Sequence, residues 1–464
     1  MHRLDLEGGA SSPLASKPPA ASPLPRRLGP ASATLVMVAS MVGTGVFTTT
    51  GFLVRDIGSP VAVLLAWLLG GLLALAGALC YAELATAMPD NGGEYLLLSR
   101  IYHPAVGFLA GWVSLIVGFS APAAAAALAC GHYLAALFPG MPQLPVAVLL
   151  PVVTACLHAL GVRVGAVAQN AVTTLQIGLI LALGTVGAIH GSAGEIEVAP
   201  GKDTLHALGS PAFAAGLIYV GFAYSGWNAA VYLVGELRRP ARTLPRACIA
   251  GTLLVTAMYV LLNLAFLVSA PSEELSGNVE VGAIAAEHLF GEAGKRMVVG
   301  LIVLGLVTTV SALMMTGPRV YEAMAHDYAR LARLSRRTDK GGPVVAIWLQ
   351  LAVSLLMVLT TDVDTLLTYC GFTLTIFAAL VASGVIVLRK RAPTLERPYR
   401  TPGYPATPLV FIGLSIWMVA HSIHTHPAAA VAGAATLITG WLLYLWVRPP
   451  PPAGQGNAPA RSNE

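Results

Sequence analysis

Charge is what this sequence has least of. Only 11% of its 464 residues are Asp, Glu, Lys or Arg, while 56% are hydrophobic and the mean hydropathy is +0.73. Soluble domains carry about a quarter charged residues, and a water-soluble fold of this length could not hide so much apolar side chain. A soluble enzyme or scaffold is therefore excluded, and the solvent must be a lipid bilayer. Cysteine is scarce too: Cys80, Cys130, Cys156, Cys248 and Cys370 are odd in number and all lie in apolar stretches. That pattern suits packed free thiols better than disulfides or metal ligands. No Gly-x-x-x-x-Gly-Lys-Ser/Thr loop is present, which argues against an ATP-driven pump. A membrane-embedded enzyme would need convergent nucleophiles, acids or metal ligands. The one local histidine group, His421, His424 and His426, sits at the end of an apolar run and suits the membrane interface. Neither metal nor cofactor is expected. Acids are also missing from the middle of every apolar run, since Glu83, Glu236, Asp362 and Asp364 lie near run ends.

What the chain has is apolar runs. A spanning helix needs ~20 mostly apolar residues, and twelve candidates occur at 31–55, 60–84, 103–138, 144–160, 164–190, 211–236, 243–269, 296–325, 343–361, 364–388, 405–425 and 427–447. With the N-terminus inside, 23 of the 27 basic residues fall on cytoplasmic segments; only Arg55, Lys202, Lys295 and Arg296 fall outside. This bias follows the positive-inside rule and also explains the net charge of +5 without nucleic acid. The expectation is an all-α protein of twelve transmembrane helices in a cell membrane, surrounded by lipid, with both termini cytoplasmic. Residues 1–29, rich in Pro, Ala and Ser, and residues 448–464 read as disordered tails flanking one domain at 30–447. A signal peptide is the rival reading of the N-terminus, but the run after Arg27 is too long and lacks a small-residue cleavage pattern. The outer loop 270–295, with Glu273, Glu274, Glu280, Glu287 and Glu292, is expected to form a partly helical cap.

Two of the runs contain sequences that an unbroken helix would avoid. Met41-Val42-Gly43-Thr44-Gly45-Val46-Phe47 interrupts the first, and Phe222-Ala223-Tyr224-Ser225-Gly226-Trp227-Asn228 the sixth. Glycine costs ~1 kcal/mol in a helix relative to alanine, although small residues also serve close helix packing. Gly45 and Gly226 stand 181 residues apart at matching depth. That spacing fits two inverted five-helix repeats, at 31–190 and 211–388, with two helices added at 405–447. Interrupted segments at corresponding places in two halves point to a transporter's binding site. Backbone groups freed by a break survive in a membrane only around a cavity. The half-helix after Gly43 offers free N–H groups and a positive dipole end, which suit a carboxylate. The half-helix ending near Phe222 offers carbonyls and a negative end, which suit an ammonium. Together they fit an α-amino acid zwitterion.

At these residues the sequence resembles the amino acid–polyamine–organocation (APC) transporters, within them the L-type amino-acid transporter branch. Four motifs carry the resemblance over roughly residues 30–400: MVGTGVF at 41–47, YAELATAMPDNGGEYLLLSRIYHPAVGFLAGW at 81–112, GFAYSGWNAAVYLVGELRRPARTLPRA at 221–247 and GPRVYEAMAHD at 317–327. The resemblance implies a LeuT-type fold with alternating access around spans 1 and 6. It places the substrate carboxylate on the amides of Gly43, Thr44 and Gly45. The ammonium falls on carbonyls at Met41, Phe222 and Ser225, with Ala223 and Gly226 completing the sixth-span side. Phe222 takes the place of the inner gate.

Three departures refine the expectation. Relatives that read cationic substrates carry an acid in the sixth-span motif where this chain has Ser225, and an unpaired charge within the membrane is costly, so the substrate is expected to be neutral. Many sodium-independent relatives place a lysine in the fifth span where, counting from Gly161-Val162-Arg163, this chain has Gln176. Gln176 has no titratable proton, and Thr308, Thr309 and Ser311 on span 8 are candidate sodium-facing hydroxyls or packing groups. Mammalian relatives bond a glycoprotein through a cysteine in the loop after span 3, where Phe138-Pro139-Gly140-Met141-Pro142 has none; no disulfide-linked heavy chain is expected. The function expected is amino-acid transport, with a membrane nutrient sensor that binds without transporting as the alternative.

Overall fold

The computed structural model describes residues 28–89, 93–161, 166–191, 202–337 and 343–448. Of the tails expected at 1–29 and 448–464, residues 1–27 and 449–464 lie outside these residues, as do Val162 and Arg163 of the turn before the fifth run. Among the described residues the chain is helical, without named strands. The first run divides into α1 (Pro30–Met41) and α2 (Thr44–Ile57), bent by 46°. Next come α3 (Pro60–Ala87), the short α4 (Gly93–Ile101), and a third span built from α5 (Pro104–Val113), a π-helical turn at Ser114–Ser120 and α6 (Ala121–Leu137). They are followed by α7 (Gln143–Ala159), α8 (Ala166–His190) and α9 (Lys202–Leu208). The sixth run gives α10 (Pro211–Ala223), an irregular turn, and α11 (Ala229–Tyr232). The remainder is α12 (Pro240–Ser269), α13 (Ser272–Leu275), α14 (Val281–Asp327), α15 (Val344–Thr360), α16 (Val363–Arg391), α17 (Ala406–Thr425) and α18 (Pro427–Val447).

Among the described residues eight helices are long and apolar enough to cross a membrane, or nine counting the bent pair α1–α2. The three other predicted spans carry apolar helices of only 17, 13 and 17 residues: α7, α10 and α15. At 1.5 Å per residue such helices reach ~20–26 Å, against a hydrocarbon layer of ~30 Å. The predicted outer cap is α13 with the start of α14, which kinks at Gly291, where φ is +67°.

Neighbouring spans show why two repeats fit the chain. Spans 2 and 7 (α3 and α12), 3 and 8 (α6 and α14) and 4 and 9 (α7 and α15) each pack on their own counterpart. Several other pairs have a mate under exchange of spans 1–5 with 6–10, although α10 on α16 and α2 on α14 do not. Thus α1 on α12 matches α10 on α3, α8 on α12 matches α16 on α3, and α8 on α14 matches α16 on α6. A repeat holding an odd number of spans starts its copy from the opposite face, so the copies are inverted. The extra helices lie outside this scheme: α17 rests on α16 and α10, and α18 on α16 and α5.

On the N-terminal face a buried carboxylate is held by arginines and a backbone amide. Glu83, with a side chain 2% exposed, accepts from Arg389 Nε and a terminal nitrogen at 2.8 Å each and from the Thr401 amide at 2.7 Å, with Arg397 Nε at 3.8 Å. This clamp ties span 2 to span 10 and its following loop on the N-terminal face. There too Leu28 pairs with the strand-like exit of the sixth span, its amide donating to Glu236 O and its carbonyl accepting from Arg238 N.

Candidate functional site

The two breaks meet. Helix α1 ends at Met41, Val42 and Gly43 take extended backbone, and α2 starts at Thr44. Helix α10 ends at Ala223, followed by a turn through Asn228 in which Gly226 adopts φ +104°. A Cβ at Gly45 would lie 2.5 Å from Ala223 Cα, and one at Gly226 would strike the Ser40 carbonyl. Each glycine thus lets the backbone of one break press on the backbone of the other, and Gly226 also needs a left-handed conformation that side chains disfavour. Around Gly43 there is room: a Cβ there would find only the Met41 carbonyl, at 4.0 Å.

On the first-span side, the amides of Gly43, Thr44 and Gly45 find no acceptor among the described residues. A helix start leaves its first amides without intrahelical partners, and of these three residues Gly43 stands beside open space. On the sixth-span side the carbonyls are partly engaged. Phe222 O accepts from Ser225 N at 2.9 Å, and Tyr259 OH on α12 donates to Met41 O at 2.6 Å and lies 3.4 Å from Ala223 O. A carbonyl has two lone pairs, so Met41 O keeps acceptor capacity while Tyr259 ties both breaks to span 7. Met41, Thr44, Phe222 and Ala223 are buried, while Gly43, Ser225 and Gly226 are half-buried. The structure thus brings together all eight residues that the sequence nominated for the substrate.

Several groups around the breaks were not legible in the sequence. Tyr133 OH on α6 donates to Phe47 O at 2.7 Å, tying span 3 to the start of α2. Beyond α2, Gly277 N donates to Gly51 O at 2.8 Å, so the outer loop sits on the span. Arg55 at the end of α2 pairs with Asp364 at the start of α16 at 2.9 Å, and Asp364 also accepts from Tyr219 of α10. Spans 1, 6 and 10 are therefore joined on the face opposite the N-terminus. On the N-terminal side Glu94 of α4 accepts from Tyr81 OH at 2.7 Å and from Asn228 Nδ2, just past the sixth-span break, at 3.1 Å. Burial pushes the Glu94 carboxyl above its ordinary range, and the two hydrogen bonds oppose that rise. These partners lie 13 to more than 300 residues apart in sequence, so no local pattern announces them.

The coupling candidates do not converge on one point. Gln176 is buried against span 8, where a Cβ at Gly305 would collide with its amide. Thr308 donates to Gly305 O at 2.8 Å, within its own helix, while Ser311 pairs with His158 Nε2 of α7 at 3.0 Å. Two of the three span-8 hydroxyls are thus occupied by packing partners. All five cysteines are free thiols, four of them buried, and half-buried Met141 stands in the otherwise exposed loop between α6 and α7.

Known proteins resemble the chain over nearly its whole length. The model of the amino acid permease family matches residues 28–446. The serine/threonine exchanger SteT of Bacillus subtilis is 31% identical over 408 residues, covering 87% of this chain and 92% of the relative. The large neutral amino acids transporter small subunit 2 of Homo sapiens is 28% identical, covering 91% of this chain and 80% of its own. The b(0,+)-type amino acid transporter 1 of Mus musculus is 28% identical with 91% and 88% covered.

Proposed function

This chain belongs to the amino acid permease family of the APC superfamily and is a multi-pass membrane transporter of amino acids, and on that premise we propose that it moves neutral L-amino acids across the cell membrane by alternating access. The observation that carries the reading is the meeting of the two breaks. The amides of Gly43, Thr44 and Gly45 have no acceptor among the described residues, Gly43 lies beside open space, and the end of α10 meets Gly45 at Ala223. A zwitterion satisfies both, its carboxylate on Gly43, Thr44 and Gly45 and its ammonium on the carbonyl side at Met41, Phe222 and Ser225, with Ala223 and Gly226 forming the wall. Phe222 closes the site from within.

Neutrality follows from Ser225 at the position where an acid would pair a cationic side chain. The relatives named for serine, threonine and large neutral amino acids agree with it. The twelve-span topology, with both termini in the cytoplasm, rests on the positive-inside bias and the neighbour pattern. Met141 stands in the loop after span 3 where the mammalian relatives have a cysteine, and on this reading the transporter works without a disulfide-linked heavy chain. Gln176 at the span-5 position supplies no proton, and the partners of Thr308 and Ser311 leave little for a sodium ion, so the cycle is exchange or facilitated diffusion.

The test is uptake of labelled serine, threonine and leucine into proteoliposomes, with and without unlabelled neutral amino acid inside. Uptake stimulated by internal substrate, absent for lysine and arginine, is the expected result. Binding without accumulation would mark a sensor. Concentrative uptake driven by an imposed proton gradient would overturn the reading of Gln176, and uptake driven by sodium would restore Thr308, Thr309 and Ser311 as ion ligands.

A further inference from the structure

A cavity of about 690 Å³ lies on the N-terminal face, walled by span 3, the ends of α14 and α18, the start of α15 and the 3-10 turn Ala329–Ser335. None of its lining residues comes from spans 1, 6 or 7, so it is separate from the substrate site. Its size falls within the ~300–1,000 Å³ of ordinary ligand pockets. The cavity exists because two small apolar clusters stop short of each other: Phe108, Met324, Tyr328 and Tyr444 form one, and Leu115, Tyr321 and Ala346 the other, with Trp112 touching both.

The turn that roofs it alternates charge and grease. Leu331 packs on the first cluster and Leu334 on the second, while Arg330 and Arg333 line the same cavity and are exposed. Nearby acids are already engaged. Glu322 takes Arg337 at 2.5 and 2.7 Å, and Asp327 accepts from Tyr95 OH at 2.5 Å. Arg330 lies 5.5 Å over the Trp446 ring and donates to the Trp446 carbonyl, which leaves other guanidinium N–H groups unused. Arg333 and Arg336 have no carboxylate partner among the described residues. Cations in an apolar wall between spanning helices, at interface depth with tryptophan beside them, match the chemistry that holds acidic lipid headgroups.

We propose that this groove binds one anionic glycerophospholipid from the leaflet on the N-terminal face, its phosphate on Arg330 and Arg333 and an acyl chain along Trp112, Leu115 and Leu349. The test is native mass spectrometry of the purified full chain with phosphatidylglycerol, phosphatidylcholine of the same acyl chains, and glycerol 3-phosphate as competitor. The expected result is preferential retention of phosphatidylglycerol, weakened about fivefold for each arginine removed in R330A/R333A, as ~1 kcal/mol per cation near an acidic surface implies. R333E, which replaces a side chain with no hydrogen bond or ion pair among the described residues, should also lose the preference and keeps the proposal testable if the double variant misfolds. Equal retention of phosphatidylglycerol by wild type and R333E would overturn it. So would displacement by glycerol 3-phosphate, which would mark a site for free anions.

Discussion

Phe222 combines a buried ring with a backbone that turns out of helical form two residues later. Were the ring ordinary core, Phe222→Ala would cost ~3–5 kcal/mol and show first as a lowered Tm. As a gate, the truncation should instead reduce transport sharply at equal surface expression while the fold survives. Wild-type uptake in that variant would reduce Phe222 to packing. Gln176 poses a complementary case. Its amide fits against Gly305, and Gln176→Lys would put an ammonium into the same buried space. That charge must be desolvated or lose its proton in each cycle, so turnover should slow and acquire a pH dependence absent from the wild type. Unchanged, pH-independent exchange rates in the lysine variant would sink this account. Both residues were legible from motif position alone. Tyr259 was not, because a tyrosine in an apolar run reads as core until the chain places its hydroxyl on Met41 O.

Helices are tied together by a few buried charges, and these set what each element contributes. The Glu83 clamp joins α3, α16 and the loop before α17 through three short hydrogen bonds. Glu83→Gln would leave Arg389 and Arg397 without their counter-ion, and removing one partner of a buried pair costs ~3–5 kcal/mol. We expect a marked fall in Tm in detergent; an unchanged Tm would mean the clamp is solvated enough to be dispensable. At the α17–α18 turn, His426 stacks edge-on against Tyr219 at 5.6 Å. Burial lowers its pKa below the ordinary 6.5, opposed by Asp364 and Asp56 and assisted by Arg55. A base whose folded pKa is depressed leaves stability intact above pH 6.5, and that stability is lost as pH falls through the depressed value. His426→Asn should flatten that acid limb in thermal unfolding, and an identical pH profile would show that the ring is not the titrating group.

Element boundaries mark where sequence reasoning reached its limit. The breaks at 42–43 and 224–228 were readable within the motifs 41–47 and 222–228 because the two interruptions stand at corresponding places in two halves, whereas either alone would read as close helix packing. Helix α4 and the π-turn at Ser114–Ser120 were not: the first is too short for a hydropathy window, and the second depends on how span 3 packs. The short α7, α10 and α15 show the reverse case, in which apolar composition was legible and helix length was not.

At the scale of the whole molecule, the all-helical class followed from composition, and the two-repeat order from one spacing of 181 residues. That spacing recurs where no motif drew attention. Gly251 stands 181 residues after Gly70. Gly251 on span 7 receives Met37 of span 1, and Gly70 on span 2 receives Val220 of span 6. The molecule is in this respect a beam balance with unequal arms: a methyl at Gly70 would overlap Val220, while one at Gly251 would meet Met37 Cβ at 3.2 Å. Adding a methyl to Gly251 pushes span 1 outward and should tip the population towards opening on the N-terminal face; adding one to Gly70 should tip it the other way. Each single alanine variant should therefore slow exchange and change cysteine-labelling accessibility in opposite senses. The double variant G70A/G251A should bring accessibility back towards wild type from the larger of the two single shifts, whereas simple additive loss would mean that the two glycines are unrelated packing sites.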